Sequence, residues 1–173
     1  STYPVAELFE RQVKTPAAIN VATYVGHGDL RTAVMGADFR RHSTADEIGR
    51  MRALLATGMQ AGALGLATGL EYDPGIYSET GELAREAAHF GGRYASHVRS
   101  EDRYFWAAVD EIVRIGREAK IPVQFSHMKL AMVDWWGESR RLLDVLDRAR
   151  SEGIDVTGDV YPYEYWQSTL TVL

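Results

Sequence analysis

The sequence has no cysteine among its 173 residues. Disulfides and thiolate metal ligands are therefore excluded for this chain, and any metal site that it builds has to use histidine, carboxylate or lysine chemistry. It also lacks a run of roughly 18 consecutive apolar residues, the length needed to span a bilayer. Its first residues, STYPVAELFERQ, lack the basic and then apolar pattern of a signal peptide. These absences predict a cytoplasmic protein.

Long runs of one charge sign are missing as well. The 19 basic and 24 acidic residues give a formal net charge of −5, without the basic run that suits nucleic acid or an anionic membrane. We therefore expect neither nucleic acid nor a membrane as a partner. A hydrophobic share of 46% and a charged share of 25% are typical of one globular domain.

Short apolar runs alternate with amphipathic stretches along most of the chain. Strand-like runs occupy residues 19–26, 63–69, 93–99, 123–129 and 154–163. Helical periodicity covers 44–60, about 79–91, 101–119 and 138–152, and the first of these begins with a capping box, Thr44 to Glu47. Alternating strands and helices predict an α/β fold with a parallel sheet, either open and doubly wound or closed as a (β/α)8 barrel. Periodicity alone does not separate the two.

The motif Ser-His-x-(Arg/Lys) occurs twice, and its histidines, His97 and His127, are thirty residues apart. Thirty residues are one strand-helix repeat, so both copies fall at the C-terminal ends of neighbouring strands, where parallel α/β proteins build their sites. Residues i and i+2 share a face of a strand, so we expect His97 with Arg99, and His127 with Lys129, to face one mouth. The two imidazoles can then converge on one cation, or each can be a hydrogen-bonded or partly exposed residue that binds no metal.

The remaining polar residues near strand ends are weaker candidates. His27 lies between glycines after the first predicted strand, and Asp73 and Asp159 also lie near strand ends. His42 follows two arginines, and His89 lies late on a predicted helix, where the helix dipole favours it. We expect His42 and His89 to be solvated.

Five blocks of the sequence carry a family resemblance. They are VGHGDLR, GALGLATGLEYDPG, GGRYASHVRSE, IPVQFSHMK, and GIDVTGDVYPY followed by QSTL. In order and spacing they resemble the middle of the N-acyl-D-amino-acid deacylases, the D-aminoacylase branch of the amidohydrolase superfamily, from about Ile19 onward. The resemblance implies a partial (β/α)8 TIM barrel, about strands 3 to 7, of a zinc-dependent hydrolase. Its substrates would be N-acyl-D-amino acids, cleaved at the amide bond.

The resemblance also implies roles for single residues. His97 and His127 match the histidines that hold the one tightly bound zinc ion. Lys129, Tyr161 and Ser168 match groups that bind the substrate, although the EYWQST stretch before Ser168 is one residue longer than the family spacing. Cations such as Lys129 and Arg99 suit a substrate carboxylate, and the Tyr161 hydroxyl suits catalysis at the scissile carbonyl.

Several family features have no counterpart in this chain. These are a cysteine that is the third zinc ligand, an HxH pair on the first strand and a catalytic aspartate on the eighth, so Asp159 is not assigned as the base. The chain begins without methionine and stops inside STLTVL. We therefore expect residues 1–173 to be one segment of a catalytic barrel domain, inactive alone. Its exposed edges would need the rest of the barrel or another chain.

Two other functions stay open from the sequence. One is an amidohydrolase that acts on a cyclic amide, as dihydroorotases and hydantoinases do, with the same two histidines. The other is a half-barrel without catalysis that serves as a binding module. Neither the acyl group nor the amino-acid side chain of a substrate is indicated by the residues.

Overall fold

The computed structural model describes residues 4–79 and 82–167. In these ranges the α-helices are α1 Val5–Lys14, α2 His27–Met35, α3 Ala45–Gln60, α4 Ala84–His89, α5 Phe105–Ala119 and α6 Ser139–Ser151. The strands are β1 Val25–Gly26, β2 Gly65–Gly69, β3 Arg93–His97, β4 Val123–Phe125 and β5 Val156–Gly158. Short 3-10 turns lie at Gly36–Asp38, Gly75–Tyr77 and Val133–Trp135. None of these helices combines the length and apolar character that crossing a membrane requires.

The five strands form one parallel sheet in the sequential order β1-β2-β3-β4-β5. A doubly wound sheet reverses its strand order at a switch point, whereas a barrel adds each new strand beside the previous one. The sequential order therefore decides between the two folds that periodicity left open. The sheet is part of a (β/α)8 barrel, and the C-terminal ends of its strands lie along one rim.

Side chains alternate between the two faces of the sheet. In β3, Tyr94 and Ser96 are buried against the helix layer, while Ala95 is only half-buried on the opposite face. On that opposite face Gln124 is half-buried and Thr157 is exposed. The main core thus lies between sheet and helices, and the face that lines the inside of a complete barrel is partly open.

The start of α3 has the capping box that the sequence predicts. The Thr44 hydroxyl accepts a hydrogen bond from the Glu47 backbone N–H at 3.3 Å, and the Glu47 carboxylate accepts one from the Thr44 backbone N–H at 2.8 Å. Arg41 adds two charge-assisted hydrogen bonds to the same carboxylate, at 2.8 and 2.6 Å. The Arg41 guanidinium, together with the Thr44 N–H, holds the pKa of Glu47 well below its usual range.

The strands are shorter than the sequence predicts. The first strand was expected over 19–26 and covers only β1, an edge strand of the described sheet. Just before β1, the Thr23 carbonyl accepts a hydrogen bond from the Leu64 N–H at 2.8 Å. The strand expected over 93–99 ends at His97, and the strand expected over 123–129 ends at Phe125. The polar residues after these strands therefore lie in loops.

Helices α1 and α2 were not predicted. Helix α2 begins at His27 inside the glycine-containing stretch VGHGDL, which read as the end of a strand. It has no side-chain cap. The helix is stabilised instead by the burial of Leu30 and Met35 and by its packing on α3 and β2.

Candidate metal centre

The two histidines of the repeated motif meet at the rim of the sheet. His97 is the last residue of β3, and His127 lies two residues beyond the end of β4. Nδ1 of His97 is 3.0 Å from Nε2 of His127, and the ring centroids are 4.7 Å apart. The side chains are 17% and 30% exposed, so the pair is sheltered but reachable from solvent. The structure therefore brings together the two residues that the thirty-residue spacing pointed to.

The backbone of His127 is held in a left-handed conformation, with φ of 41°. Non-glycine residues adopt this region rarely, and they need support from their surroundings. Asp159, just after β5, supplies that support: its Oδ1 accepts the His127 backbone N–H at 2.5 Å, and its Oδ2 accepts Gln124 Nε2 at 2.7 Å. Asp159 thus fixes the turn that carries His127.

A carboxylate contacts the outer nitrogen of each imidazole. Nε2 of His97 is 2.7 Å from Glu71 Oε2, and Nδ1 of His127 is 2.9 Å from Glu101 Oε1. A carboxylate accepts hydrogen bonds, so Nε2 of His97 carries a proton and Nδ1 of the neutral ring presents a lone pair. An ammonium group only donates, so Lys129 Nζ, 3.0 Å from Nδ1 of His127, leaves the proton of a neutral His127 on Nε2. Nε2 of His127 then donates a hydrogen bond to Nδ1 of His97 at 3.0 Å. A metal ion bound at the two inner nitrogens would replace that proton, which would move to Nδ1 of His127 beside Glu101.

The donor set and its spacing fit a zinc ion. With Zn–N bonds of about 2.0 Å and tetrahedral angles, two ligating nitrogens lie roughly 3.3 Å apart, so the pair has to open by only a few tenths of an ångström. Glu101 Oε1 is 4.0 Å from His97 Nδ1, and ligand atoms of His97, Glu101 and His127 all lie within 4.8 Å of one another. Imidazole and carboxylate are both common zinc ligands.

Lys129 and Tyr161 also lie beside the histidine pair. Lys129 Nζ donates to both oxygens of Glu101 at 2.5 Å and lies 5.4 Å from the centre of the Tyr161 ring. The Tyr161 ring centroid is 6.5 Å from that of His127. A cation and a phenol therefore flank the candidate metal position.

Comparison with known proteins gives sequence and structural relatives that agree. No protein-family model matches the chain. N-acyl-D-glutamate deacylase of Alcaligenes xylosoxydans xylosoxydans is 44% identical over 148 residues, which is 84% of this chain and 30% of the relative. D-aminoacylase of the same organism is 42% identical over 152 residues, which is 86% of this chain and 31% of the relative.

Solved structures give the same result. The D-aminoacylase crystal structure that defines a novel subset of amidohydrolases has a TM-score of 0.86 and 39% identity, and the match covers 92% of this chain and 34% of that one. N-acyl-D-glutamate deacylase from Bordetella bronchiseptica, complexed with zinc and a phosphonate inhibitor, has a TM-score of 0.87 and 40% identity, with the same coverage. The chain belongs to the D-aminoacylase family of amidohydrolases. It spans about 30% of the length of the curated relatives that it matches.

Arg99 contacts the helix layer of this D-aminoacylase-family barrel and not the histidine pair. Its Nε and Nη2 donate to the two carboxylate oxygens of Glu111 on α5, at 2.8 and 2.9 Å. Its guanidinium also donates to the carbonyls of Ile76 and Ser78, at 3.0 and 3.1 Å. The expectation that Arg99 shares a direction with His97 is wrong, because β3 ends at His97 and the strand alternation stops there. Arg99 ties the rim loops to the helix layer instead.

The other candidates of the sequence lie outside the pair. His27 is buried, with Nε2 2.7 Å from Glu82 Oε1, and Arg31 Nη1 donates to the same oxygen at 3.0 Å. Burial raises the pKa of Glu82, but the His27 hydrogen bond and the charges of His27 and Arg31 outweigh it, so the pKa is lowered overall. Asp73 pairs with Arg40 at 3.4 Å. These residues form contacts away from the histidine pair.

Three further sequence predictions have simple outcomes. His42 and His89 are exposed, as expected. Ser168, predicted to bind substrate, lies outside the described residues.

Sequence reasoning missed Glu71 and Glu101, the two carboxylates that contact the imidazoles. Both lie in loops at the rim: Glu71 is two residues after β2, and Glu101 is four residues after His97. Their charge also reaches a neighbouring ring, since burial first, and then the charges of Glu101 and Glu71, raise the pKa of Tyr72. Their sequence positions, a few residues after the ends of predicted strands, could have identified them, because sites of this fold lie at that rim.

Proposed function

We propose that this chain supplies part of the catalytic barrel of a zinc-dependent hydrolase that cleaves the amide bond of N-acyl-D-amino acids. The observation that carries the proposal is the pair of inner nitrogens, His97 Nδ1 and His127 Nε2, 3.0 Å apart with both outer nitrogens on carboxylates. The relatives support the substrate class, because they are named as deacylases of N-acyl-D-glutamate and N-acyl-D-aspartate and as D-aminoacylase. The Bordetella bronchiseptica relative binds zinc and a phosphonate described as a mimic of the tetrahedral intermediate of its reaction.

His97 and His127 would hold the metal through Nδ1 and Nε2 respectively. For Nε2 of His127 to bind the metal, its proton would move to Nδ1, where Glu101 Oε1, 2.9 Å away, would accept it. When bound, zinc supplies a Lewis acid that polarises the N-acyl carbonyl and acidifies a water molecule. The third protein ligand and the base that takes the water proton would come from residues outside this chain, as the family resemblance implies.

Lys129 would bind the carboxylate of the substrate. Its ammonium group has three N–H donors, and two of them point at the oxygens of Glu101. The third donates to Nδ1 of His127 at 3.0 Å, and it would become available to a ligand once metal binding places a proton on that nitrogen. The group is 16% exposed, so a substrate carboxylate can reach it with little competition from water.

Tyr161 would act on the scissile carbonyl. Its ring lies 6.5 Å from that of His127 and 5.4 Å from Lys129 Nζ, so the phenol is near both the candidate metal position and the cation proposed to bind the substrate carboxylate. A phenolic O–H directed at the carbonyl oxygen stabilises the negative charge that develops there in the transition state. Ser168 and the cytoplasmic location stay predictions from the sequence.

The proposal is tested in the full-length protein that contains these residues. His97→Ala and His127→Ala should each remove zinc and the hydrolysis of N-acetyl-D-amino acids together, since each deletes one ligand. His89→Ala, at the exposed end of α4, is the matched histidine control and should keep both. A His127→Ala protein with wild-type zinc content and rate would refute the ligand assignment. Hydrolysis of cyclic imides but not of N-acyl-D-amino acids by the wild type would refute the substrate class.

A further inference from the structure

One side chain connects the two halves of the candidate site. Glu71 lies in the loop after β2, and its side chain is 14% exposed. Its Oε2 is 2.7 Å from Nε2 of His97, and its Oε1 accepts the backbone N–H of Glu101 at 2.9 Å. Glu101 in turn contacts Nδ1 of His127. The carboxylate of Glu71 therefore contacts the His97 imidazole directly. Through the backbone N–H of Glu101 it is also linked to the residue that contacts the His127 imidazole.

We propose that Glu71 is a positioning residue that fixes the tautomer of His97. By accepting a proton from Nε2, it keeps the His97 lone pair on Nδ1, the nitrogen that faces His127. Through its second oxygen it anchors the loop that carries Glu101. This inference rests on the proposed metal site, and it assigns to Glu71 a role that the sequence did not indicate.

The contacts of Glu71 explain why a carboxylate is needed at this position. Both donors that face it, His97 Nε2–H and the Glu101 backbone N–H, need an acceptor. A carboxylate offers two acceptor oxygens, whereas an amide offers one acceptor oxygen and one NH2 donor. Glutamine would match the shape of Glu71 but not the pattern of its hydrogen bonds.

The substitution Glu71→Gln therefore isolates the proposed role. If the amide oxygen accepts the Glu101 N–H, the amide NH2 faces His97 Nε2 and requires a lone pair there. A neutral His97 then has its proton on Nδ1, which blocks that nitrogen for a metal. If the amide turns the other way, two N–H donors face each other at Glu101. Either orientation disturbs His97 or the Glu101 loop without changing the volume of the side chain.

The experiment uses the full-length protein and follows two quantities. Nitrogen-15 NMR of the histidine rings in the metal-free protein reports which nitrogen of His97 is protonated, with His97→Ala identifying its signals. Competition with a chromophoric chelator gives the affinity for zinc. We expect Nε2–H for His97 in the wild type. In Glu71→Gln we expect a population with Nδ1–H and zinc affinity lower by about 10- to 100-fold, the range typical for loss of a hydrogen-bonding partner of a ligand.

Two references separate a positioning role from a role in folding. Glu118→Gln changes an exposed carboxylate on α5, 3.8 Å from Arg85, and should leave both quantities unchanged. The buried His27, which Glu82 holds elsewhere, reports on the fold and should keep its NMR signals in Glu71→Gln. Joint changes at His27 and His97 would show that Glu71 serves the fold, and would overturn the inference.

The remaining outcomes distinguish this inference from the proposed function. If Glu71→Gln keeps the wild-type tautomer and zinc affinity while His97→Ala loses zinc, the positioning role is wrong and the metal site stands. If His97→Ala itself binds zinc with wild-type affinity, the metal site is wrong, and the role of Glu71 falls with it.

Discussion

His97 and His127 meet because of a turn, and not because they are paired in the sheet. The register of β3 and β4 ends with Ser96 opposite Phe125, and the Ser126 N–H donates to the Ser96 carbonyl at 3.0 Å. His127 is thus one residue further along than the position opposite His97. Its left-handed backbone conformation, which Asp159 holds, turns the chain there, and the His127 ring contacts His97. The approach of the two imidazoles to 3.0 Å accordingly depends on β5 as well as on β3 and β4.

Replacement of Lys129 by methionine should weaken substrate use. If Lys129 binds the substrate carboxylate, the full-length Lys129→Met protein should lose on the order of 2–4 kcal/mol in kcat/KM, the scale expected when one member of a sheltered charge pair is removed. Steady-state kinetics with an N-acetyl-D-amino acid measures the loss. Elemental analysis should show unchanged zinc.

The structure makes a second substrate necessary for that experiment. Lys129→Met also removes the partner of both oxygens of Glu101, whose side chain is only 5% exposed and contacts His127. An N-acyl-D-amino-acid amide lacks the carboxylate but uses the same metal chemistry, so the variant should handle it almost as the wild type does. An equal loss with both substrates would mean that Lys129 acts through Glu101 and His127.

The residues that the sequence predicted, and those that it missed, differ in how they are positioned. The histidine pair was predictable because the thirty-residue repeat and the parallel sheet place both residues at one rim. Arg99 was predicted wrongly because the alternation of a strand was extended past its last residue, His97. Glu71 and Glu101 lie in loops, and their approach to the imidazoles follows from the packing of those loops, which no local period encodes.

The fold shows the same division. Apolar runs and a capping box located the sheet strands and α3, since burial and capping leave local signals. Helix α2 was missed because it has no side-chain cap and begins in a glycine-containing stretch, so its support comes from contacts with α3 and β2. The sequential strand order, which identifies the barrel, is a property of the assembled sheet and not of any one segment.

The 173-residue chain on its own should hold zinc weakly and hydrolyse no N-acyl-D-amino acid detectably. It presents two imidazoles, and catalytic zinc sites normally have three protein ligands. After dialysis, elemental analysis should give far less than one zinc per chain. Stoichiometric zinc would contradict this, and Glu101→Gln would then identify the third ligand, because Glu101 is the carboxylate grouped with both histidines in the described part of the chain.

Loss of the capping hydroxyl of α3 should lower stability. Thr44→Ala removes the acceptor of the Glu47 backbone N–H, and we expect the free energy of unfolding to fall by about 1 kcal/mol. Urea unfolding of the chain, followed by circular dichroism, measures the change. Thr44→Ser keeps the acceptor and should lie within a few tenths of a kcal/mol of the wild type. Equal losses in the two variants would show that the hydroxyl is not the cause.

The buried hydroxyl of Tyr94 should make stability depend on pH in the alkaline range. Tyr94 is 1% exposed, its hydroxyl lies 2.8 Å from Thr68 Oγ1, and burial raises its pKa to about 12. In the unfolded chain a tyrosine has a pKa of about 10. Between about pH 10 and 12 the unfolded chain therefore releases a proton that the folded chain retains. Stability should fall as the pH rises through this window, by up to roughly 2–3 kcal/mol from this residue, and should be unaffected by it below pH 10.

A comparison of two tyrosine variants tests the assignment to Tyr94. At pH 9, Tyr94→Phe should be less stable than the wild type, because the hydrogen bond to Thr68 is lost. Phenylalanine has no proton to release, so the stability of the variant does not fall with that of the wild type, and the difference should shrink as the pH approaches 11. Tyr104→Phe, at a site 65% exposed, should follow the wild type throughout. Urea midpoints at several pH values give these differences. A constant difference between wild type and Tyr94→Phe would mean that the group titrating on unfolding is another one.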